Sequence, residues 1–150
     1  MGKVRAIATR KKTRAPMTLV HEASVTFANG VGDDSRGKKR NNRQVTVLTQ
    51  EGWEEASTEL EQNLEWTTRR ANIFITGLNL ENSEGKFLKI GTSLLKITGE
   101  LVPCNRMDEQ IDGLTNALAK NWRGGVTCAI EEEGYLKAGD SVSIVDQGGA

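Results

Sequence analysis

Apolar and polar residues alternate with period two along most of this chain. Leu19, His21, Ala23, Val25 and Phe27 fall on one face of an extended segment, and Val20, Glu22, Ser24 and Thr26 fall on the other. Leu95 and Ile97 oppose Lys96 and Thr98 in the same way, and Val126, Cys128 and Ile130 oppose Thr127 and Ala129. The β-branched run Val45-Thr46-Val47 predicts a strand over 43–48. Shorter strands are predicted at 4–9, 73–76 and 141–145. Two more, at 87–90 and 93–101, flank a tight turn at Gly91. Helical spacing occurs twice. Trp53, Ala56, Leu60 and Leu64 predict an amphipathic helix over about 50–63, with Thr49 placed to cap it. Met107, Ile111, Leu114 and Leu118 predict a second helix that Gly113 interrupts. Seven or eight short strands with two helical stretches predict a mostly β chain. The expected fold is a closed or nearly closed barrel with one or two short flanking helices.

Composition narrows the function. The 150 residues suit one domain with a sizeable core, and no repeat or linker divides 1–150. Sixteen glycines and two prolines agree with tight turns between strands. Twenty basic residues balance twenty acidic ones, which argues against non-specific nucleic-acid binding. No stretch approaches the ~20 apolar residues of a membrane span, and no apolar run follows the basic N-terminus as a secretory signal would require. Two distant cysteines without a CxxC motif fit a reducing compartment, so a cytoplasmic location is expected. No Cys/His cluster suits zinc or an iron–sulfur centre. The ends, about 1–2 and 147–150, are expected to fray.

The candidate chemistry centres on Cys104. It follows Val102-Pro103, where strand pairing must end or lie at an edge because Pro103 has no N–H, and it precedes Asn105-Arg106. A thiol there, beside cations, is stabilised as a thiolate, which is a nucleophile and a soft metal ligand. The bland reading is a partly buried, inert cysteine. Cys128 shares strand parity with Val126 and Ile130 and reads as a core residue; a Cys104–Cys128 disulfide is the alternative. His21 reads as a hydrogen-bonded barrel residue rather than a base. Arg43, Arg69, Arg70 and Arg123 stand at strand or turn boundaries, where guanidinium groups meet anions with paired donors. The stretch 36–40 reads as a solvated basic loop. Gly124-Gly125 and Gly139-Asp140 are turns, and the first could also present N–H groups to an anion.

The order of short motifs resembles the MOSC domain, named for the C-terminal domain of molybdenum cofactor sulfurase. The motifs run Gly30-Val31-Gly32-Asp33, Arg43-Gln44-Val45-Thr46-Val47-Leu48, Arg70-Ala71-Asn72-Ile73 and Gly77-Leu78-Asn79-Leu80. Lys89-Ile90-Gly91, Pro103-Cys104, Arg123-Gly124-Gly125-Val126 and Ala138-Gly139-Asp140 follow. The resemblance covers about 20–146 and is nearest to short, stand-alone bacterial members. It implies a barrel-like fold and a cysteine, here Cys104, that either ligates molybdenum in the molybdenum cofactor (Mo-molybdopterin) or carries sulfur as a persulfide. It implies cofactor contacts by Arg43, Arg70, Asn72, Arg123, Gly124, Gly125 and Asp140. The implied activity is an oxidoreductase one on small N-hydroxylated substrates, with an external reductase. The alternatives are a sulfur carrier served by a cysteine desulfurase, which alone would bring pyridoxal phosphate, and a non-catalytic adaptor. Where the family carries Gly-Asp-Arg, this chain has Gly32-Asp33-Asp34, with Arg36 following.

Overall fold

The computed structural model describes residues 2–12, 15–103 and 106–146. Four strands come first: β1 (Gly2–Thr9), β2 (Thr18–Val20), β3 (Glu22–Thr26) and β4 (Gly30–Val31). β5 (Val45–Thr49), α1 (Gln50–Glu59) and β6 (Ile73–Thr76) follow. β7 (Phe87–Ile90), β8 (Ser93–Glu100), α2 (Arg106–Gln110) and α3 (Leu114–Leu118) lead to β9 (Val126–Glu132), β10 (Gly134–Lys137) and β11 (Ser141–Val145).

Seven strands close a ring in the order β11, β7, β8, β9, β5, β6, β1. β1 returns to β11 through the pairs Gly2↔Val142 and Lys3↔Ser141. Closure leaves only β2 as an appendage of this sheet, on β1. The pairing of β5 with β6 is parallel and the other ladders are antiparallel. A parallel pair needs a crossover. Here α1 and a 3-10 turn at Trp66–Arg69 supply it. A smaller sheet, β10-β3-β4, adds Ala23, Val25, Val31 and Leu136 to the barrel core.

The ring wraps Ile7, Val45, Val47, Ile73, Ile75, Leu95, Ile97 and Cys128, all fully buried. A second cluster lies outside the barrel wall. Leu48 and Phe74 point out of β5 and β6 against Trp53 and Ala56 of α1, Met107 of α2, and Leu114 and Leu118 of α3. β5 is therefore buried on both faces, which is why 45–49 lacks exposed polar positions. Among the described residues, no helix is long and apolar enough to cross a membrane.

Four local expectations are corrected. The first helix stops at Glu59, not 63: Leu60 caps it, and Glu61 turns left-handed at φ 55°. The Trp53 indole then donates to the Leu64 carbonyl, folding the following segment back onto the same cluster. The second helical stretch is two helices, because Gly113 takes φ +88° and starts α3 afresh. The alternation over 19–27 breaks at a bend between β2 and β3, so Leu19 is 62% exposed while Ala23 and Val25 are buried. His21 lies in that bend, exposed rather than in the barrel.

The two faces of this alternation differ in energy. Ile97→Ala is expected to cost about 2–5 kcal/mol, because Ile97 fills the barrel. Leu19→Ala should change stability by less than about 0.5 kcal/mol. Urea unfolding midpoints of the two variants check this.

Candidate functional site

The site is built by the loop between β4 and β5. At Gly30, φ is +69°, and a Cβ there would stand 2.5 Å from the Gly37 Cα. The two glycines let the chain cross itself backbone to backbone. Asp34, 2% exposed, fixes the crossing: its carboxylate accepts from the Arg10 N–H at 2.8 Å and from the Arg36 N–H at 3.1 Å. The buried Gln44 amide donates to the carbonyls of Phe27 and Gly37 at 2.7 and 2.9 Å. These bonds bring the end of β1 and the turn at 36–38 together, with Arg10 and Arg36 side by side.

Behind them lies a buried clamp. Asn72 Oδ1 accepts from the Thr46 N–H and hydroxyl at 3.2 and 3.3 Å, and Asn72 Nδ2 donates to the Ala8 carbonyl at 3.2 Å. One side chain thus ties β1, β5 and the entry to β6. Thr46 Oγ1 in turn accepts from Arg36 Nη1 at 3.3 Å. Arg69 and Arg70 precede the clamp and diverge. Arg69 is buried, donating Nε to the Gly124 carbonyl at 3.0 Å and Nη2 to the Leu101 carbonyl. Arg70 adopts a left-handed backbone, φ 64° and ψ 36°, a conformation that costs a non-glycine residue about 1–2 kcal/mol. Strain of this kind concentrates at functional sites.

Arg10, Arg36, Arg43, Arg69 and Arg70 line a cavity of about 320 Å³. Leu101, Val102 and Met107 give it an apolar side, and Glu109 and Gln110 complete the lining. Burial holds the Arg36 guanidinium below its usual range, with repulsion from Arg10, Arg43 and Arg70 adding to it and Asp34 opposing it. Among the described residues, Arg36, Arg43 and Arg70 have no ion-pair partner. Three guanidinium groups without an ion-pair partner among the described residues, beside one apolar side, suit an anion attached to a flat or apolar body.

Of the arginines the sequence singled out, the fold brings Arg43, Arg69 and Arg70 to this cavity. Asn72 stands behind it, and the Gly124 carbonyl holds Arg69 in place. Gly125, at φ +96°, packs against β5: a Cβ there would meet the Val47 carbonyl at 2.3 Å. Its N–H donates to the Trp122 carbonyl within the turn. Arg123 lies elsewhere, ion-paired to Glu55 at 3.3 Å and Glu59 at 3.0 Å. The Asp140 carboxylate accepts from the Lys137 N–H in its own turn. Cys104, Asn105 and the Arg106 side chain lie outside the described residues; Leu101 and Val102 before them and Met107 after them line the cavity. Cys128 is a free, fully buried thiol, and burial pushes it far above its ordinary range.

Sequence reasoning missed Arg10 and Arg36. The reading of 36–40 as a solvated loop is corrected for Arg36, which is half-buried in the cavity wall. Asp34, two residues before it, was the available signal, since a loop aspartate often anchors neighbouring N–H groups. A roomier cavity, about 500 Å³, is lined by Glu51, Glu55 and Glu81 with Trp122 and Arg123. Three carboxylates against one guanidinium, itself paired, make that cavity unsuited to an anion.

A family model of the MOSC domain matches residues 24–143. Among solved structures, the YuaD protein from Bacillus subtilis superposes with a TM-score of 0.80 over 96% of each chain, at 18% identity. YiiM from Geobacillus stearothermophilus gives 0.77 at 17% identity, covering all of this chain and 78% of that one. YiiM from Escherichia coli gives 0.72 at 15% identity, covering 97% and 70%. No curated protein sequence matches the chain.

Two outcomes test this assignment of structural residues. Asn72→Ala should cost about 2–4 kcal/mol, because it strands buried groups of Thr46 and Ala8; chemical denaturation measures this. At neutral pH, Cys128 in the native protein should resist iodoacetamide and react fully once the chain is unfolded, as peptide mass spectrometry would read.

Proposed function

This chain belongs to the MOSC domain family, and from its arginine-lined cavity we propose that it binds the molybdenum cofactor, Mo-molybdopterin, by the cofactor's phosphate. What most supports this reading is the unpaired set Arg36, Arg43 and Arg70 around one cavity, beside the residues that flank Cys104. The phosphate takes charge-assisted hydrogen bonds from these arginines. The apolar side at Leu101, Val102 and Met107 receives the organic body of the cofactor. Cys104 is two residues beyond Val102 in the chain, and its thiolate is the proposed soft ligand to the metal.

When bound, such a cofactor supplies redox chemistry at molybdenum, here directed at small N-hydroxylated compounds with electrons from an external reductase. The residues of the chain bind and orient it. Asp34, Gln44 and Asn72 hold the arginines in place before the ligand arrives, so little ordering entropy is lost on binding. Arg69 holds Leu101 and Gly124 together at the back of the cavity.

The arginines and the cysteine are tested separately. Arg36→Ala or Arg43→Ala should weaken binding of inorganic phosphate by about 1.5–3 kcal/mol in calorimetry, while Arg123→Ala leaves it unchanged. Arg70→Gly should weaken binding similarly and unfold no earlier than wild type, because glycine relieves the left-handed strain. Protein purified from cells that make the cofactor should contain molybdenum, and Cys104→Ser should lose it without losing the fold. Sulfane sulfur on wild-type Cys104 in place of metal would replace this reading with that of a sulfur carrier.

A further inference from the structure

The roomier cavity, about 500 Å³, stands apart from the arginine site. β5 and β6 run parallel. Arg43 and Arg70 precede these strands, whereas Thr49 ends β5 and Gly77, Leu78 and Leu80 follow β6. The two cavities therefore lie at opposite ends of the pair. Leu80, 3% exposed, and half-buried Leu78 give the second cavity an apolar wall continuous with the barrel core. Trp122 lines it beside them, with one side packed on the same core. Asn121 and Trp122 are left-handed, at φ 52° and 57°, the one adjacent pair of such non-glycine residues among those described. A bulky side chain adopts that backbone at a cost, and such strain gathers at ligand clamps. The half-buried Trp122 indole makes no hydrogen bond, ring stack or cation contact among the described residues.

Glu51, Glu55 and Glu81 line the cavity against Arg123 alone; three charges less one leave two negative. Arg123 is fully engaged, by Glu55, Glu59 and the Ala117 carbonyl. Glu81 is exposed and has no ion-pair partner among the described residues. Burial works against the Glu51 carboxylate, but bonds from the Thr76 hydroxyl, the Gly77 N–H and its own N–H outweigh it and hold the carboxyl below its ordinary range. The N-terminus of α1 also borders the cavity, and its end charge of about half a unit opposes a cation. Glu51 in the first turn and Thr49, which accepts from the Gly52 N–H at 3.1 Å, offset that. The carboxylates do not gather as metal ligands: among the described residues no three acidic, imidazole or thiol groups could hold a metal ion. Carboxylates beside an indole and an apolar wall recognise a cation carried on an apolar body. We propose that this cavity is a second binding site, for an organic cation, with the apolar body against Leu78 and Trp122 and the charged head among Glu51, Glu55 and Glu81.

Calorimetry at fixed ionic strength tests it with benzyltrimethylammonium, tetramethylammonium, benzyl alcohol, phenylacetate and trilysine. Benzyltrimethylammonium should bind at least tenfold tighter than tetramethylammonium, which lacks the apolar body, and than benzyl alcohol and phenylacetate, which lack the positive charge. It should also change tryptophan emission in the wild type and not in Trp122→Leu. Glu81→Gln, an exposed change whose fold is checked by thermal melting, should weaken it at least threefold. Glu132→Gln, at the far end of β9, should leave it unchanged. If Trp122→Leu does not fold, Glu81→Gln and the wild-type emission still decide. Equal affinities for benzyltrimethylammonium and tetramethylammonium would overturn the proposal, by making the cavity a region of diffuse negative charge. Tighter binding of trilysine would overturn it in favour of a docking surface for a basic peptide. Failure of benzyltrimethylammonium to bind at millimolar concentration would overturn it outright, and none of these results bears on the arginine cavity.

Discussion

Guanidinium groups repel one another, and nothing in a chain of zero formal net charge gathers them without cost. Here the cost is borne by buried polar clamps. The Asp34 carboxylate accepts from two backbone N–H groups and so fixes the chain at Arg10 and Arg36, while its charge offsets part of the repulsion on the Arg36 guanidinium. Asn72 and Thr46 join three strands and give Arg36 a neutral acceptor. Gln44 pins the loop from the other side. Unpaired, each of these buried groups would carry a desolvation penalty; paired, they make a rigid seat for charges that would otherwise spread into solvent.

The arginines divide by partner. Arg69 meets two carbonyls and holds two chain segments together. Arg123 meets two carboxylates and joins the turn before β9 to α1. Arg36, Arg43 and Arg70 line the cavity with no ion-pair partner among the described residues, and Arg70 does so in a left-handed backbone. In a sequence these residues look alike. Their environments separate arginines that join chain segments from arginines that line the cavity without an ion pair among the described residues.

The similarity to YuaD and YiiM at 15–18% identity is a likeness of fold. It survives because the seven-stranded ring needs only inward β-branched and aliphatic residues at alternate positions, and many sequences satisfy that. The family match and the fold leave the ligand open. Charge and geometry in the cavity carry the reading from there.

Alternation at Leu95–Ile97 and Val126–Ile130 was enough to predict strands, because each places one face in a dry interior. Helical spacing at 53–64 and 107–118 was enough to predict α1 and a helical region after Cys104. The motif order was enough to suggest the family. The sequence could not end α1 at Glu59, since Leu64 keeps helical spacing and reaches the same apolar cluster by a fold-back that depends on the Trp53–Leu64 bond. Nor could it separate Leu19 from Val25, because the bend at His21 answers to sheet pairing between distant segments. Arg10 and Arg36 were illegible for a related reason. They lie 26 positions apart in loops, and only the bonds of Asp34 to both backbones bring them to one wall. Period and turn chemistry are local and can be read along a chain; which charges share a cavity is a long-range fact, settled when the ring closes.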